Sequence, residues 1–345
     1  MGQLFRLIRN PIGLMQEGAT YGDMVTLARK PALLYLVTHP DLVETLLVTC
    51  HQKLRRPRTS EALRYLLGNG MLTADDPLHL RQRRLIQPQF HRRRIEGYAE
   101  TMVEYALRHE RRWKKLPSGT RVDMTLEMHD LMRRVVTKTL FGLDLPEEAR
   151  RLGEAFEQSN AYMRMRGFQG PVLRRLLHGL PLPATRRFHR DRAYLDGVVY
   201  GLIDERRKSQ DETDDLLSMM LGLRYEDEDG NDAGAMSDRQ VRDEAITMFA
   251  AGQGTSTMAL AWTWHLLAAH PTVQERFHRE VDEALDGRPP TPADLLNLPL
   301  TDQIVTESMR LYPPVYTTAQ TAAEPFELGG YQVPAGALLT APQIV

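Results

Sequence analysis

One cysteine, Cys50, occurs among the 345 residues. A single thiol excludes an internal disulfide and a zinc site built on cysteines, and it is typical of a protein kept in a reducing compartment. Neither sign of charge prevails, since 44 Lys and Arg residues stand against 45 Asp and Glu. This balance gives no reason to expect nucleic acid or an anionic membrane as a partner.

The amino terminus and the apolar segments lack a clear export or membrane signal. Residues 1–13 are interrupted by arginine, asparagine and proline, so they lack the continuous apolar core of a signal peptide. The stretch Ala245–Trp264 has no charged residue and is about as long as a bilayer span, roughly 20 residues. Its middle, Gly252–Thr257, is polar, which favours a buried helix of a globular protein. We therefore predict a cytoplasmic protein without a membrane span.

The apolar spacing along the chain is mainly helical, with a little sheet. Alternating runs at Met24–Leu27 and Leu33–Val37 predict two short strands, and Val315–Ala341 is β-rich with glycine turns. Helical spacing predicts segments at 40–48, 60–68, 76–87, 91–115, 123–141, 147–166, 185–209 and 212–222. No linker divides the sequence convincingly. We therefore expect one α+β domain over residues 1–345, mainly α with small β-sheets.

Ser237–Gln240 predicts the start of a long central helix. Its sequence, Ser-Asp-Arg-Gln, is a capping box, in which each end residue satisfies a backbone N–H of the other. Asp238 and Asp243 lie near the positive end of the helix dipole. The pattern continues to about Ala269, where a His-Pro pair ends it and begins the next helix. Such a helix is about 45 Å long, enough to cross a domain.

The segment Ala251–Ser256 weakens the middle of this helix. Two glycines each cost about 1 kcal/mol relative to alanine, and Thr255 can bond back to the carbonyl of Ala251. Close packing of another helix on small residues is one explanation. The other is a ligand site, since a flat ligand can approach the backbone where Gly252 has no Cβ. One hydroxyl beside a flat cofactor suits oxygen activation, which requires proton delivery and exclusion of bulk water.

Glu307 and Arg310 face the same way on a predicted helix that the proline pair at Pro313 ends. An exposed surface pair is the simplest interpretation. Three apolar residues flank the pair, however: Val305, Met309 and Leu311. They favour a partly buried, bidentate salt bridge that fixes the helix in register.

His79 and Arg83 lie one turn apart on an earlier predicted helix. Both side chains can reach one anionic group from that face. The alternative is a solvated basic surface, because the segments Arg81–Arg84 and Arg92–Arg94 are rich in arginine.

In chain order, these motifs resemble the cytochrome P450 family, the haem-thiolate monooxygenases. The motifs are His79-x-x-x-Arg83, Ala251-Gly252-x-x-Thr255 and Glu307-x-x-Arg310 followed by Leu-Tyr-Pro-Pro. The resemblance implies the cytochrome P450 fold, haem b as cofactor, and insertion of one atom of O2 into a hydrophobic organic substrate. In that family a histidine and an arginine bind a haem propionate, a role implied here for His79 and Arg83.

The same resemblance assigns Ala251, Gly252 and Thr255 to the groove of the distal helix where haem and O2 bind. Thr255 matches the threonine that guides protons during oxygen activation. The family usually has an acidic residue just before it, whereas this chain has Gly254. Gln253 is polar but cannot ionise. We therefore take Thr255 and Gln253 as candidate catalytic residues and expect protons to arrive through water or another group.

Further expectations follow from the family. Val315, Tyr316 and Thr317, just after the proline pair, would line the substrate pocket. Electrons would come from NAD(P)H through a ferredoxin, flavodoxin or reductase that docks on the arginine-rich residues 81–94, and the protein would act as a monomer. Two other interpretations stay open: a non-catalytic haem-pocket remnant that binds apolar ligands, and a helical interaction scaffold.

The printed chain ends at Val345, before the place where the family's haem-ligating cysteine loop would come. Cys50 lies in an early helix, so we expect it to be a small packed thiol and not a haem ligand. We accordingly expect no axial metal ligand, no thiolate haem centre and no activity from the chain as printed. In the family, a pair such as Glu307 and Arg310 packs against an arginine of the following segment.

Overall fold

The computed structural model describes residues 9–29, 33–57, 60–144, 146–167, 182–209, 215–226 and 232–344. The chain divides into two compact units. Unit 1 contains Met1–Glu61 and Glu307–Val345, and unit 2 contains Ala62–Thr306. Whether residues 1–345 form one domain depends on how the two units are arranged, so the expectation of a single domain stays a prediction.

The strands within the described residues are short. They are β1 (Met24–Ala28), β2 (Leu34–Val37), β3 (Leu54–Arg55), β4 (Arg224–Glu226), β5 (Asp232–Ala235), β6 (Thr317–Ala322), β7 (Phe326–Leu328), β8 (Tyr331–Val333) and β9 (Leu338–Pro342). Unit 1 has a sheet in the order β1-β2-β9-β6-β3, in which only β2 and β9 run parallel. Strands β7 and β8 pair in unit 1, and β4 and β5 pair in unit 2.

Helices make up most of the described chain. They are α1 (Pro11–Ala19), α2 (Pro40–Glu44), α3 (Ser60–Leu67), α4 (Leu78–Ile86), α5 (Arg92–Trp113), α6 (Met124–Phe141), α7 (Pro146–Gly167), α8 (Pro183–Lys208), α9 (Leu216–Gly222), α10 (Asp238–Ala269), α11 (Pro271–Leu285) and α12 (Pro299–Leu311). Each predicted helical segment coincides with a helix, although residues 212–214 lie outside the described residues. The prediction of a mainly α protein with small sheets is confirmed.

Unit 1 is held together by apolar contacts on both sides of its sheet. One cluster includes Val37, Leu46 and Leu339, and Cys50 is buried among them. This confirms that Cys50 packs as a small apolar side chain. The predicted glycine turn is also present: Gly329 has a φ of +54°, and a Cβ there would lie 2.3 Å from the Leu42 side chain. Glycine therefore lets the β7–β8 turn pack on α2.

Helix α10 organises unit 2. It extends over 32 residues, and the predicted capping box of Ser237 and Gln240 is present. Phe249 lies in its buried side, with ring centroids 6.0 Å from Phe141 and 5.6 Å from Phe156. Burial of such aromatic side chains is a large part of what holds α6 and α7 on α10.

No helix in the described parts of the chain combines the length and the apolar character that a membrane crossing requires.

Candidate functional site

The middle of α10 has an open side at Ala251, Gly254 and Thr255. Ala251 and Gly254 are exposed, and Thr255 is half-buried. The Thr255 hydroxyl donates a 2.6 Å hydrogen bond to the Ala251 carbonyl, as predicted. A Cβ added at Gly254 would meet no atom within 4 Å. This side of the helix can therefore accept a flat group close to its backbone.

Gly252 faces a neighbouring helix instead. A Cβ built there would lie 3.2 Å from Val136 Cγ2 on α6. The interpretation that its missing Cβ admits a flat ligand is therefore wrong, and the alternative, close helix packing, applies at this position. The reason is helical periodicity, because residues 252 and 254 differ by roughly 200° about the helix axis. Gly252 therefore packs on α6, whereas Gly254 leaves the opposite side of α10 open.

Gln253 is buried and points toward α6 and α7. Its side-chain nitrogen lies 2.8 Å from His129 Nε2 and 3.4 Å from Glu157 Oε1. His129 Nε2 is 2.5 Å from the same Glu157 oxygen, and this hydrogen bond lowers the pKa of the Glu157 carboxyl below its ordinary value. The structure thus separates Gln253 from the Thr255 hydroxyl. Sequence reasoning missed His129 and Glu157, because nothing in the linear order relates them to α10.

Arg83 lies on the exposed side of α4, and His79 is half-buried. His79 Nδ1 is 3.2 Å from Asp76 Oδ1, and the His79 side chain is 22% exposed. Arg83 is exposed. Gln82, between them in the sequence, is fully buried and donates a 3.2 Å hydrogen bond to the Asn69 carbonyl. The buried side of α4 is therefore that of Gln82, which leaves the imidazole and the guanidinium available to a ligand.

Two buried acids on α10 were not expected from the sequence as site residues. Asp243, predicted only to complement the helix dipole, is 4% exposed, and its Oδ2 accepts the Asn69 N–H at 2.8 Å. Glu244 is 0% exposed, and its Oε2 accepts the Met71 N–H at 3.1 Å. Burial, assisted by the negative Asp243, raises the pKa of Glu244 to about 7. The available signal was an Arg-Asp-Glu triplet that directly precedes the long uncharged stretch of this helix.

Val315, Tyr316 and Thr317 belong to unit 1, whereas α10 belongs to unit 2. Val315 is 49% exposed. Tyr316 packs on the apolar cluster beside α1, and Thr317 Oγ1 lies 2.7 Å from Thr340 Oγ1. Of the three, Val315 is the most accessible, and a role in lining a substrate pocket stays a prediction for all of them.

Glu307 and Arg310 form the predicted bidentate pair, with two hydrogen bonds of 2.7 Å. The prediction that the pair is partly buried is wrong, because the side chains of Arg310 and Glu307 are 67% and 54% exposed. The buried residue of α12 is Ser308. The charged pair therefore lies on the solvent side of the helix, and its apolar neighbours in the sequence do not enclose it.

The elements of unit 2 fit a flat ligand that carries carboxylates. The open side of α10 suits the flat part, while His79 and Arg83 on α4 are donors for a carboxylate. The two helices are connected through the Asn69 main chain, which accepts from Gln82 and donates to Asp243. Haem is a planar group with two carboxylates, so these residues fit it.

Known proteins resemble this chain in sequence and in fold. The cytochrome P450 family model matches residues 2–343. Pentalenene oxygenase of Streptomyces avermitilis is 34% identical over 97% of this chain and 72% of its own length. Cyclooctat-9-en-7-ol 5-monooxygenase of Streptomyces melanosporofaciens is 34% identical over 98% of this chain and 72% of its own. The solved haem domain of cytochrome P450DA, 23% identical, has the same fold, with a TM-score of 0.84 over 96% of this chain and 72% of that one. The chain therefore belongs to the cytochrome P450 family.

Proposed function

We propose that this chain is a haem-dependent monooxygenase that inserts one atom of O2 into an apolar organic substrate. The observation that supports it most is the open side of α10 at Ala251, Gly254 and Thr255, in the same unit as the donor pair on α4. The names of the two relatives describe an alkene and an alkenol. We infer a substrate of the same chemical class, a hydrocarbon with few polar groups.

Haem, when bound, supplies the oxygen-activating chemistry. In this proposal His79 and Arg83 hold its carboxylates by charge-assisted hydrogen bonds. The small residues Ala251 and Gly254 let it approach α10, and Gly252 is proposed to take part only through its main chain, since its Cβ direction faces α6. Val315, Tyr316 and Thr317 are proposed to border the substrate.

Thr255 is proposed to hold and pass the proton that oxygenation requires. Its hydroxyl donates to the Ala251 carbonyl, so the oxygen can still accept a hydrogen bond from a water molecule. Since Gly254 carries no carboxyl group, protons are proposed to reach Thr255 through water. Gln253 then acts indirectly, because its bond to His129 fixes this turn of α10 on α6.

A separate electron donor completes the proposal. NAD(P)H would supply the electrons through a ferredoxin, flavodoxin or reductase. Arg84 is exposed on α4 next to Arg83, so an acidic surface of the partner would be attracted to this helix. We further propose that the protein is a cytoplasmic monomer.

A second, non-catalytic function is favoured for the printed chain by itself. Its only cysteine, Cys50, is buried in an apolar cluster of unit 1. A packed thiol of this kind is a poor metal ligand, so we propose that these 345 residues bind haem or an apolar ligand without forming a thiolate centre. The test of this proposal is the absorption spectrum of the reduced protein after carbon monoxide is added. A red-shifted, thiolate-type Soret band would contradict this proposal.

Titration with haemin tests the cofactor assignment directly. Arg83→Gln removes a donor proposed to bind a carboxylate, and it should weaken haemin binding about tenfold, since a hydrogen bond to a charged group is worth about 1.5–3 kcal/mol. Arg84→Gln is the matched control, because Arg84 is adjacent and also exposed but lies on another face of α4. Absence of haemin binding by the unaltered chain, or an equal loss in both variants, would contradict the proposal.

A further inference from the structure

The loop between α3 and α4, residues 68–73, lies directly against α10. A Cβ at Gly68 would be 2.1 Å from the Asp243 carboxylate, and one at Gly70 would be 2.2 Å from Thr247 Oγ1. Gly68 also has a φ of +67°. Only glycine fits such a close approach of backbone to helix without displacing it. The sequence Gly-Asn-Gly at 68–70 is thus matched to the surface of α10.

Consecutive carboxylates of α10 bind alternate amides of this loop. The Asn69 N–H donates to Asp243 Oδ2 at 2.8 Å, and the Met71 N–H donates to Glu244 Oε2 at 3.1 Å. Arg242 balances Asp243 at 2.9 Å and also donates to the Leu66 carbonyl at the end of α3. All three side chains of the triplet are at least nine-tenths buried. Burial of these charged groups is unfavourable unless they are hydrogen-bonded. Their hydrogen bonds to the loop are therefore a specific feature of the fold.

Glu244 differs from Asp243 in how fully it is bonded. Asp243 has an arginine partner, whereas Glu244 Oε1 is buried with no hydrogen-bond partner in the described residues. A neutral amide could accept the same Met71 N–H. The attachment of the loop to α10 therefore requires a hydrogen-bond acceptor at position 244, but it does not require a charge there.

The loop passes this restraint on to α4. Gln82 of α4 donates to the Asn69 carbonyl, and the Thr73 hydroxyl closes the loop by donating 2.6 Å to the Gly68 carbonyl. Gln82 adjoins Arg83 and lies one turn from His79. A shift of the loop would therefore move both donors relative to α10, and displacements of about 1 Å are enough to impair a preorganised site.

We propose that Asp243 and Glu244 are positioning residues: they fix the 68–73 loop on α10 and so set where α4 presents His79 and Arg83 to the carboxylates of haem. The inference rests on the proposed function, since it requires that these two side chains bind haem. Neither acid touches the cofactor in this arrangement.

Haemin titration of the full chain, with hydrogen exchange of the loop amides, tests this. Glu244→Ala should speed exchange at Met71 and weaken haemin binding about tenfold. Glu244→Gln, which keeps an acceptor, should restore both. Gly70→Ala should act like Glu244→Ala, because its Cβ would displace the loop from Thr247. Gly201→Ala is the matched control, since a Cβ there meets nothing within 4 Å.

A second ligand separates positioning from general loss of structure. Iron octaethylporphyrin is flat but has no carboxylates, so its binding should change little in Glu244→Ala and Gly70→Ala. If the variants release the loop and bind haemin as tightly as the unaltered chain, the inference is overturned while the proposed function stands. If both ligands are weakened equally, the acids have only a structural role. If the unaltered chain binds no haemin, the proposed function fails and the inference fails with it. Where Glu244→Ala does not fold, Gly70→Ala decides.

Discussion

Replacement of Glu244 by glutamine should change how the stability of the protein depends on pH. The side chain is fully buried, and its pKa is about 7 instead of an ordinary value near 4.5. The folded state therefore binds this proton more tightly than the unfolded state. The stabilisation from Glu244 is fully present below about pH 4.5, declines as the pH rises, and is lost above about pH 7.

The size of the effect follows from the same values. A difference of one between folded and unfolded pKa is worth about 1.4 kcal/mol, so ionisation of buried Glu244 lowers the unfolding free energy by about 3 kcal/mol. The titratable groups that interact with it are Asp243, whose negative charge adds to the cost, and the Tyr225 hydroxyl, whose pKa is raised. Glutamine cannot ionise, and any unbonded amide in its place adds a cost that is independent of pH.

Urea denaturation between pH 5 and pH 8 measures this effect. The unfolding free energy of Glu244→Gln minus that of the unaltered protein should rise by about 2–3 kcal/mol over this range. Glu280→Gln serves as a control. The Glu280 carboxyl accepts the N–H groups of Leu300 and Thr301, and its pKa is lowered. Its effect on stability therefore changes with pH only in more acidic solution. Parallel curves for the unaltered protein and Glu244→Gln would refute the reasoning.

Three further substitutions test the packing, the capping and the exposed ion pair. Phe249→Ala should lower the unfolding free energy by about 3–5 kcal/mol in urea titrations, because it leaves a cavity between Phe141 and Phe156; a loss below about 1 kcal/mol would contradict this packing. Ser237→Ala should cost about 1 kcal/mol, measured in the same way, since it removes one half of the capping box that begins α10. Arg310→Ala should leave the melting temperature nearly unchanged, because this residue and its partner carboxylate are exposed; a large decrease would show that the pair is buried in solution.

Local signals in the sequence were sufficient to predict features that form between residues close together along the chain. The capping box at Ser237 begins α10, a His-Pro pair ends it, and the back-bond from Thr255 to Ala251 forms within one turn. The bidentate geometry of Glu307 and Arg310 likewise depends only on a spacing of three residues along a helix. Each of these features involves partners no more than one helical turn apart, so each can be predicted from the order of the residues.

Only the tertiary structure decided which side chains are buried and what they face. Gly252 packs on Val136, Gln253 bonds to His129, and the Arg310 pair is exposed despite its apolar neighbours. The contacts of Asp243 and Glu244 with the 68–73 loop join parts of the chain more than 170 residues apart. Such contacts depend on how helices pack against one another, which a periodic pattern in one segment cannot specify. The sequence alone thus determined the helices and the family motifs, while packing decided which residues form the open side of α10 and which hold it in place.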